Sequence, residues 1–315
     1  MKFKRLISAL LGLLVCAAIA QAAPMRESET EWDEQALHRL YESATEEEDP
    51  EAMYLLGIMF YLGVEVQQSS KEAFEWYYRA ANRGQAEAMN CLGILYALGD
   101  GVPQDYVEAL SWYLKAVEHG SVSAMNNIAT LYYHGLGVPR SDSQAAEWFQ
   151  LAADRGNPRA MNSLGVMYDR GAGVTQSHAT ALKLFQRSAE QGYAPAMVNL
   201  GNLYASGEGV EKDTVQAYAW LSAALSVGVP EARDGVLFQL RTLTAQLNAE
   251  QLARAQRLAE GISAAAIRRF QRPEQQSKAR RVLTSRTLRQ LTGKRPEVVF
   301  AFLQRAFPSA AQIAA

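Results

Sequence analysis

The sequence predicts an all-α solenoid: five helix-turn-helix units of 36 residues, closed at both ends by helical caps. Three observations carry this. First, small residues fall on a 36-residue ruler. Gly57, Gly93, Gly165 and Gly201 share one register with Ala129 in the open slot, and Gly84, Gly120, Gly156, Gly192 and Gly228 share another. Ala52, Ala88, Ala124, Ala160 and Ala196 form a third column, followed in every unit by a methionine from Met53 to Met197. Second, Trp76, Trp112, Trp148 and Trp220 repeat in one register, with Leu184 in the fourth unit. Third, helix-capping and turn residues recur at the same spacing. Self-similarity at a fixed period of this length is the signature of a stacked-repeat architecture.

The second unit shows how each half is built. Ala88, Leu92, Leu95 and Tyr96 have helical spacing within a first helix over 86–98. Gly99 ends it, because a helix terminus often requires the left-handed conformation that glycine adopts without steric cost. Asp100-Gly101-Val102-Pro103 is turn chemistry. Asp105 caps the second helix, with Glu108 three residues on. Ser69, Ser141, Ser177 and Asp213 hold the same position in the other units, each cap contributing about 1 kcal/mol. Small Gly93 and Ala88 are expected where the two helices touch. Trp112 and its equivalents are expected to fill the space opposite, at a cost of about 3–5 kcal/mol on truncation to alanine.

The pattern divides the 315 residues. Residues 1–22 read as a signal peptide: Lys2, Lys4 and Arg5 precede the apolar run Leu6 to Ala20, and Ala20-Gln21-Ala22 is a cleavage site. Val15 before Cys16 argues against lipidation. Residues 23–49 form an acidic N-terminal cap helix, a half repeat in which Tyr41 stands one period before Tyr77. Residues 50–228 hold the five repeats, 229–261 are C-terminal capping helices, with a capping box at Asn248 and Gln251 and an end at Gly261, and 262–315 are a basic helical tail. The two ends carry opposite charge. Eleven acids face two arginines over 25–51, and eleven bases face two glutamates over 262–315. These read as solvated ends of an elongated rod, or as surfaces for self-contact. After signal removal one cysteine remains, Cys91, expected to be buried and inert. No later segment is fit to insert in a membrane.

The string Ala88-Met89-Asn90-Cys91-Leu92-Gly93-Ile94-Leu95-Tyr96, followed by Gly99-Asp100-Gly101-Val102 and by Ala109-Leu110-Ser111-Trp112-Tyr113, Ala116 and Gly120, resembles the Sel1-like repeat, a branch of the tetratricopeptide-like (TPR-like) α-solenoids. The resemblance covers residues 50–228. It implies a right-handed superhelix whose concave surface is built by the first helices, and a role as adaptor, scaffold or regulator through protein binding. Some secreted relatives rich in cysteine pairs are linked to β-lactam binding. This chain lacks those pairs, so that activity is not carried over.

A search for chemistry returns structural readings. The Gly-x-Gly strings follow helices instead of opening them after a strand, so they are turns and not phosphate loops. His38, His119, His134 and His178 include no pair three or four residues apart, so no helical metal pair is expected. No nucleophile elbow exists. Neither a catalytic residue, a cofactor nor a metal is expected, and nucleic acid is not an expected partner.

What remains is a surface. Five positions per unit, at 0, +3, +7, +10 and +11 from Glu87, form a stripe on the first helices. The stripe places Tyr54 and Tyr61; Glu87 and Asn90; Asn126, Tyr133 and His134; Asn162, Asp169 and Arg170; and Asn202 on one face. Asn90, Asn126 and Asn162 align as an amide ladder, fit either to clamp a peptide backbone or to satisfy neighbouring helices. The function expected is a periplasmic or secreted protein-interaction module that takes a protein or peptide on this face. Two alternatives stay open: a hydrolase or binder of cell-wall or β-lactam compounds, and a self-assembling structural spacer.

Overall fold

The computed structural model describes residues 34–63, 66–229 and 232–270. The expected signal peptide, the acidic residues before Glu34, and the basic helices expected within 274–307 lie outside the described residues. From Gln35 onward the described chain belongs to one compact unit.

Among the described residues there are thirteen helices and no strands. α1 (Glu34–Thr45) precedes five pairs: α2 (Pro50–Leu62) with α3 (Ser70–Asn82), α4 (Ala86–Leu98) with α5 (Tyr106–Glu118), α6 (Val122–His134) with α7 (Asp142–Asp154), α8 (Pro158–Arg170) with α9 (His178–Glu190), and α10 (Ala194–Ser206) with α11 (Thr214–Val227). α12 (Arg233–Thr244) and α13 (Ala249–Phe270) follow. The two helices of each pair pack on each other, and the second helix of each of the first four pairs packs on the first helix of the next, which makes the chain an all-α solenoid. No described helix is long and apolar enough to cross a membrane.

The caps form where the spacing places them. Ser69, Asp105, Ser141, Ser177 and Asp213 each accept backbone N–H bonds at the start of the second helices. The first helices carry caps of their own: Asp49, Gln85, Ser121 and Asn157 accept from their first turns, while Tyr193 makes no such bond. Between helices, Gly99 ends α4 at φ 66° and Gly101 follows at φ 78°. The second of these glycines has a further duty. A Cβ on Gly101 would stand 2.7 Å from the Ser70 carbonyl oxygen, so the loop lies flat against the start of the preceding unit's second helix. Gly137 repeats the contact with Tyr106, Gly173 with Asp142 and Gly209 with His178.

The close approach of the paired helices corrects the expectation for tryptophan. The side chain above Gly93 is Tyr113, not Trp112. Tyr77 covers Gly57 in the same way, Phe185 stands 2.6 Å from a Cβ built on Gly165, and Leu221 stands 2.6 Å from one built on Gly201. The tryptophans, one residue earlier, point about 100° away around the helix, and Trp76 and Trp112 face the helix two places earlier. Trp76 meets the edge of Tyr41 on α1 with ring centroids 5.9 Å apart, and Trp112 meets Tyr78 at 6.0 Å. Arg79 and Lys115 cover their outer faces. Trp76 and Trp112 are buried, whereas Trp148 and Trp220 are half-buried. The five-methionine column is core throughout, and Met53, Met125 and Met161 each take a weak bond from a polar side chain thirty residues on.

At the carboxyl side, Asn248 and Gln251 exchange both bonds of a capping box. α13 does not end at Gly261 but runs to Phe270. Gly261 has open space around it, and Ala255, Ala259, Ser263 and Ala266 continue a buried face past it. A glycine inside a helix costs about 1 kcal/mol relative to alanine, which this packing offsets. α13 lies along α11, and Ala266 reaches Gly192.

Candidate functional site

The stripe on the first helices is one face in sequence and two environments in the fold. At its +3 position, Tyr54, Asn90 and Asn126 are 3%, 1% and 6% exposed, so they cannot touch a partner. The equivalent Asn162 is half-buried. At the +7 position Ile58, Ile94 and Thr130 are buried, Val166 is half-buried and Asn202 is exposed. The face is therefore closed over units one to three and open over units four and five.

The amides of the ladder bind their neighbours. Asn127 Nδ2 donates to Asn90 Oδ1 at 2.9 Å, and Asn199 Nδ2 donates to Asn162 Oδ1 at 2.8 Å. Both bonds join residues 37 apart on successive first helices. Gln239 Nε2 donates to Asn202 Oδ1 at 3.0 Å over the same interval. Tyr54 and Cys91, also 37 apart, hold the corresponding positions in the apolar core, with the Tyr54 and Tyr77 hydroxyls near the Cys91 thiol. Burial pushes that thiol far above its ordinary range and holds it protonated, which makes it a poor nucleophile. Tyr61 is pushed up to about 12, first by burial and then by Asp100. The third rung is incomplete: Asn126 Oδ1 is buried and unpaired, as is the Tyr113 hydroxyl. Buried amides of this kind rigidify the stack when satisfied, so the ladder's role is interhelical.

Glu87 is similarly engaged. Its Oε1 accepts from Ser121 Oγ at 2.9 Å, and burial raises its pKa against the lowering effect of the serine hydroxyls. One unit earlier, Gln85 Nε2 donates to Glu51 Oε2 at 3.1 Å.

The accessible part of the predicted set lies at the last turns of the first helices. Tyr61, Tyr133 and Asp169 are half-buried, and His134 and Arg170 are exposed. Tyr133 stacks edge-on with His134 at 5.0 Å and lies under the Arg140 guanidinium at 5.8 Å. Burial, then Arg140, lowers the His134 pKa, so its ring is neutral at pH 7. Asp169 Oδ1 is 2.8 Å from His178 Nδ1, and Glu208 joins them so that one ligand atom from each lies within 4.8 Å of the others. Sequence reading of single columns missed His178 and Glu208. The signal was present between columns: Asp169, His178 and Glu208 stand where Tyr61, Ser70 and Asp100 stand three units earlier.

Comparison with known proteins accounts for the same residues. The Sel1 repeat matches five times, at 50–85, 86–121, 122–157, 158–193 and 194–228. A crystal structure of a protective antigen from uropathogenic Escherichia coli, displaying an SLR fold, is 30% identical with a TM-score of 0.65, over 77% of this chain and 52% of that one. The chain thus spans about half the length of that antigen. A Sel1 repeat protein from Oxalobacter formigenes is 28% identical with a TM-score of 0.59, over 72% of this chain and 98% of that one. No curated protein matches. With five tandem matches laid over five helix pairs, the chain belongs to the Sel1 repeat family.

Proposed function

We propose that this protein is an exported, non-enzymatic interaction module, periplasmic or secreted, that takes a protein or peptide at the open first-helix face of units four and five and the adjoining edge of unit three. The observation that carries the reading is the split in burial along one stripe. The frame is shared by all five units, yet the middle of the face is closed in units one to three, while Asn162 and Asn202 meet solvent there in units four and five, with Tyr133, His134, Asp169 and Arg170 at the adjoining helix ends. Mixed charge, amide and aromatic groups on a rigid scaffold suit peptide recognition, where a few anchors carry most of the binding energy. Sel1 repeat proteins generally serve as protein-interaction modules, and the signal-peptide pattern of residues 1–22 supports export. The expectation that Tyr54, Asn90 and Asn126 line the binding surface is withdrawn, because their side chains are inside the stack.

The test is site-specific photocrosslinking in living cells, with the photoreactive residue at His134 or Arg170 and, as a control, at the exposed second-helix residues Val107 and Leu114. A discrete adduct from the first pair alone is expected, and it names the partner. Adducts from the control pair alone would move the site to the second-helix face. Export has its own measurement: amino-terminal sequencing of protein recovered from the cell envelope, with Ala23 expected as the first residue.

A further inference from the structure

We propose that Asp169, His178 and Glu208 form a site for one divalent transition-metal ion that ties unit four to unit five. The site follows from the repeat itself. Each Gly-x-Gly loop lies on the first residue of the preceding unit's second helix, so the residue between the glycines is delivered to the same junction every time. That residue meets the last turn of the preceding first helix there. At the first junction Asp100 stands close enough to Tyr61 to raise the tyrosine's pKa, as expected where these columns converge. The second junction carries Ala97 and Leu136, and the third carries Ala172 at the loop position, so neither assembles three ligands. At the fourth, the columns hold an aspartate, a histidine and a glutamate.

The geometry at that junction is near what a metal requires. Asp169 is the penultimate residue of α8 and His178 the first of α9, so both are set by rigid helix ends. Gly209, at φ 70°, presses the loop onto His178, where a Cβ would stand 2.5 Å from the histidine's own, and Ser206 Oγ accepts from Glu208 N–H at 3.3 Å. Ligand atoms within 4.8 Å of one another need only a small rotation of the exposed Glu208 side chain to meet a common ion at about 2.0–2.2 Å. An imidazole with two carboxylates suits zinc and neighbouring transition metals, whereas calcium and magnesium prefer oxygen ligands alone. Two carboxylates and a neutral ring match the ion's charge, and binding displaces the hydrogen bond between His178 Nδ1 and Asp169. Three ligands leave at least one coordination position open for water or a further ligand. The inference does not depend on the proposed partner face.

The experiment is equilibrium dialysis of the untagged chain against Zn²⁺ with metal quantification, paired with the visible absorption of Co²⁺ as a direct report of ligation. One bound ion per chain is expected, lost in His178→Ala and Asp169→Asn and at least tenfold weaker in Glu208→Gln. His38→Ala removes a second histidine–carboxylate pair among the described residues, His38 with Glu42, and should leave binding unchanged. Zn²⁺ should also raise the unfolding temperature of the wild type and not of His178→Ala. Glu208→Gln alters only an exposed side chain and keeps the fold, so its weakened binding separates ligand loss from unfolding. Retention of the ion by His178→Ala, or the absence of stoichiometric binding by the wild-type chain, would overturn the proposal.

Discussion

Units one to three and units four and five share a frame and differ in what the frame carries. In the first group the first helices bury Tyr54, Ile58, Asn90, Ile94, Asn126 and Thr130, with Asn90 bonded to Asn127 of the next first helix and Thr130 to the Asn126 carbonyl of its own. In the second group the same positions hold Asn162, Val166, Val198 and Asn202, half-buried or exposed. The covering residue of the helix pair changes in parallel, from Tyr77 and Tyr113 to Phe185 and Leu221. A repeat can therefore keep its caps, turns and small contact residues while one face drifts from core to surface. Stability in such an array is close to a sum of unit and neighbour terms, so one region can be built for rigidity and another for recognition.

This contrast can be broken by substitution. The largest effect belongs to Tyr113, fully buried above Gly93: Tyr113→Ala should cost about 3–5 kcal/mol in chemical denaturation. Trp112→Ala, at a site 9% exposed and partly covered by Lys115, should cost less, about 2–3 kcal/mol. Equal losses would show that the aromatic above the glycine has no special weight. Next comes Gly93→Ala, which drives a methyl into the rigid Tyr113 ring and should destabilise by about 1–3 kcal/mol despite alanine's better helix propensity. Gly201→Ala, against the more adaptable Leu221, should cost less, and the difference in unfolding midpoints measures it.

The amide rungs sharpen the comparison. Asn127→Ala strands the Asn90 carbonyl in the interior and should cost about 1–3 kcal/mol. Asn199→Ala strands Asn162, which water still reaches, and should cost under about 1 kcal/mol. Hydrogen exchange of the amides of α4 and α8 in the two variants would place each loss locally. The smallest effect is electrostatic. The Glu87 carboxyl has a raised pKa in the fold, so its neutral form is the stabilising one. That contribution is complete below the unfolded-state value near 4.5 and declines as pH rises through the higher folded value. Glu87→Gln should therefore gain unfolding temperature relative to wild type on going from pH 4 to pH 7. A gain in the opposite direction would show that the Ser121 bond outweighs burial.

Much of this was legible in the chain because it is local. A cap such as Asp105 needs only its own first turn, and Gly99 needs only its own φ, so spacing reveals both. The 36-residue period multiplies each weak signal by five. Side-chain direction between helices is not local. The tryptophan column looked like the partner of the glycine column, yet a shift of one residue turns a helical side chain through about 100°, and the neighbouring Tyr113 takes that place. Gly261 looked like a terminus because a glycine's cost is visible in sequence, while the packing of Ala255, Ala259 and Ala266 that offsets it is not.

The same division holds for function. The sequence by itself determined the number of units, their helices and caps, the family resemblance and the stripe of candidate residues. Only the tertiary structure decided which of those residues meet solvent. Burial at Asn90 and exposure at Asn202 depend on the bulk of side chains one unit away, and the meeting of Asp169, His178 and Glu208 depends on a loop of one unit resting on the helix of another. Those are contacts between residues 30 to 39 apart, set by how neighbouring units stack and carried by no single helix.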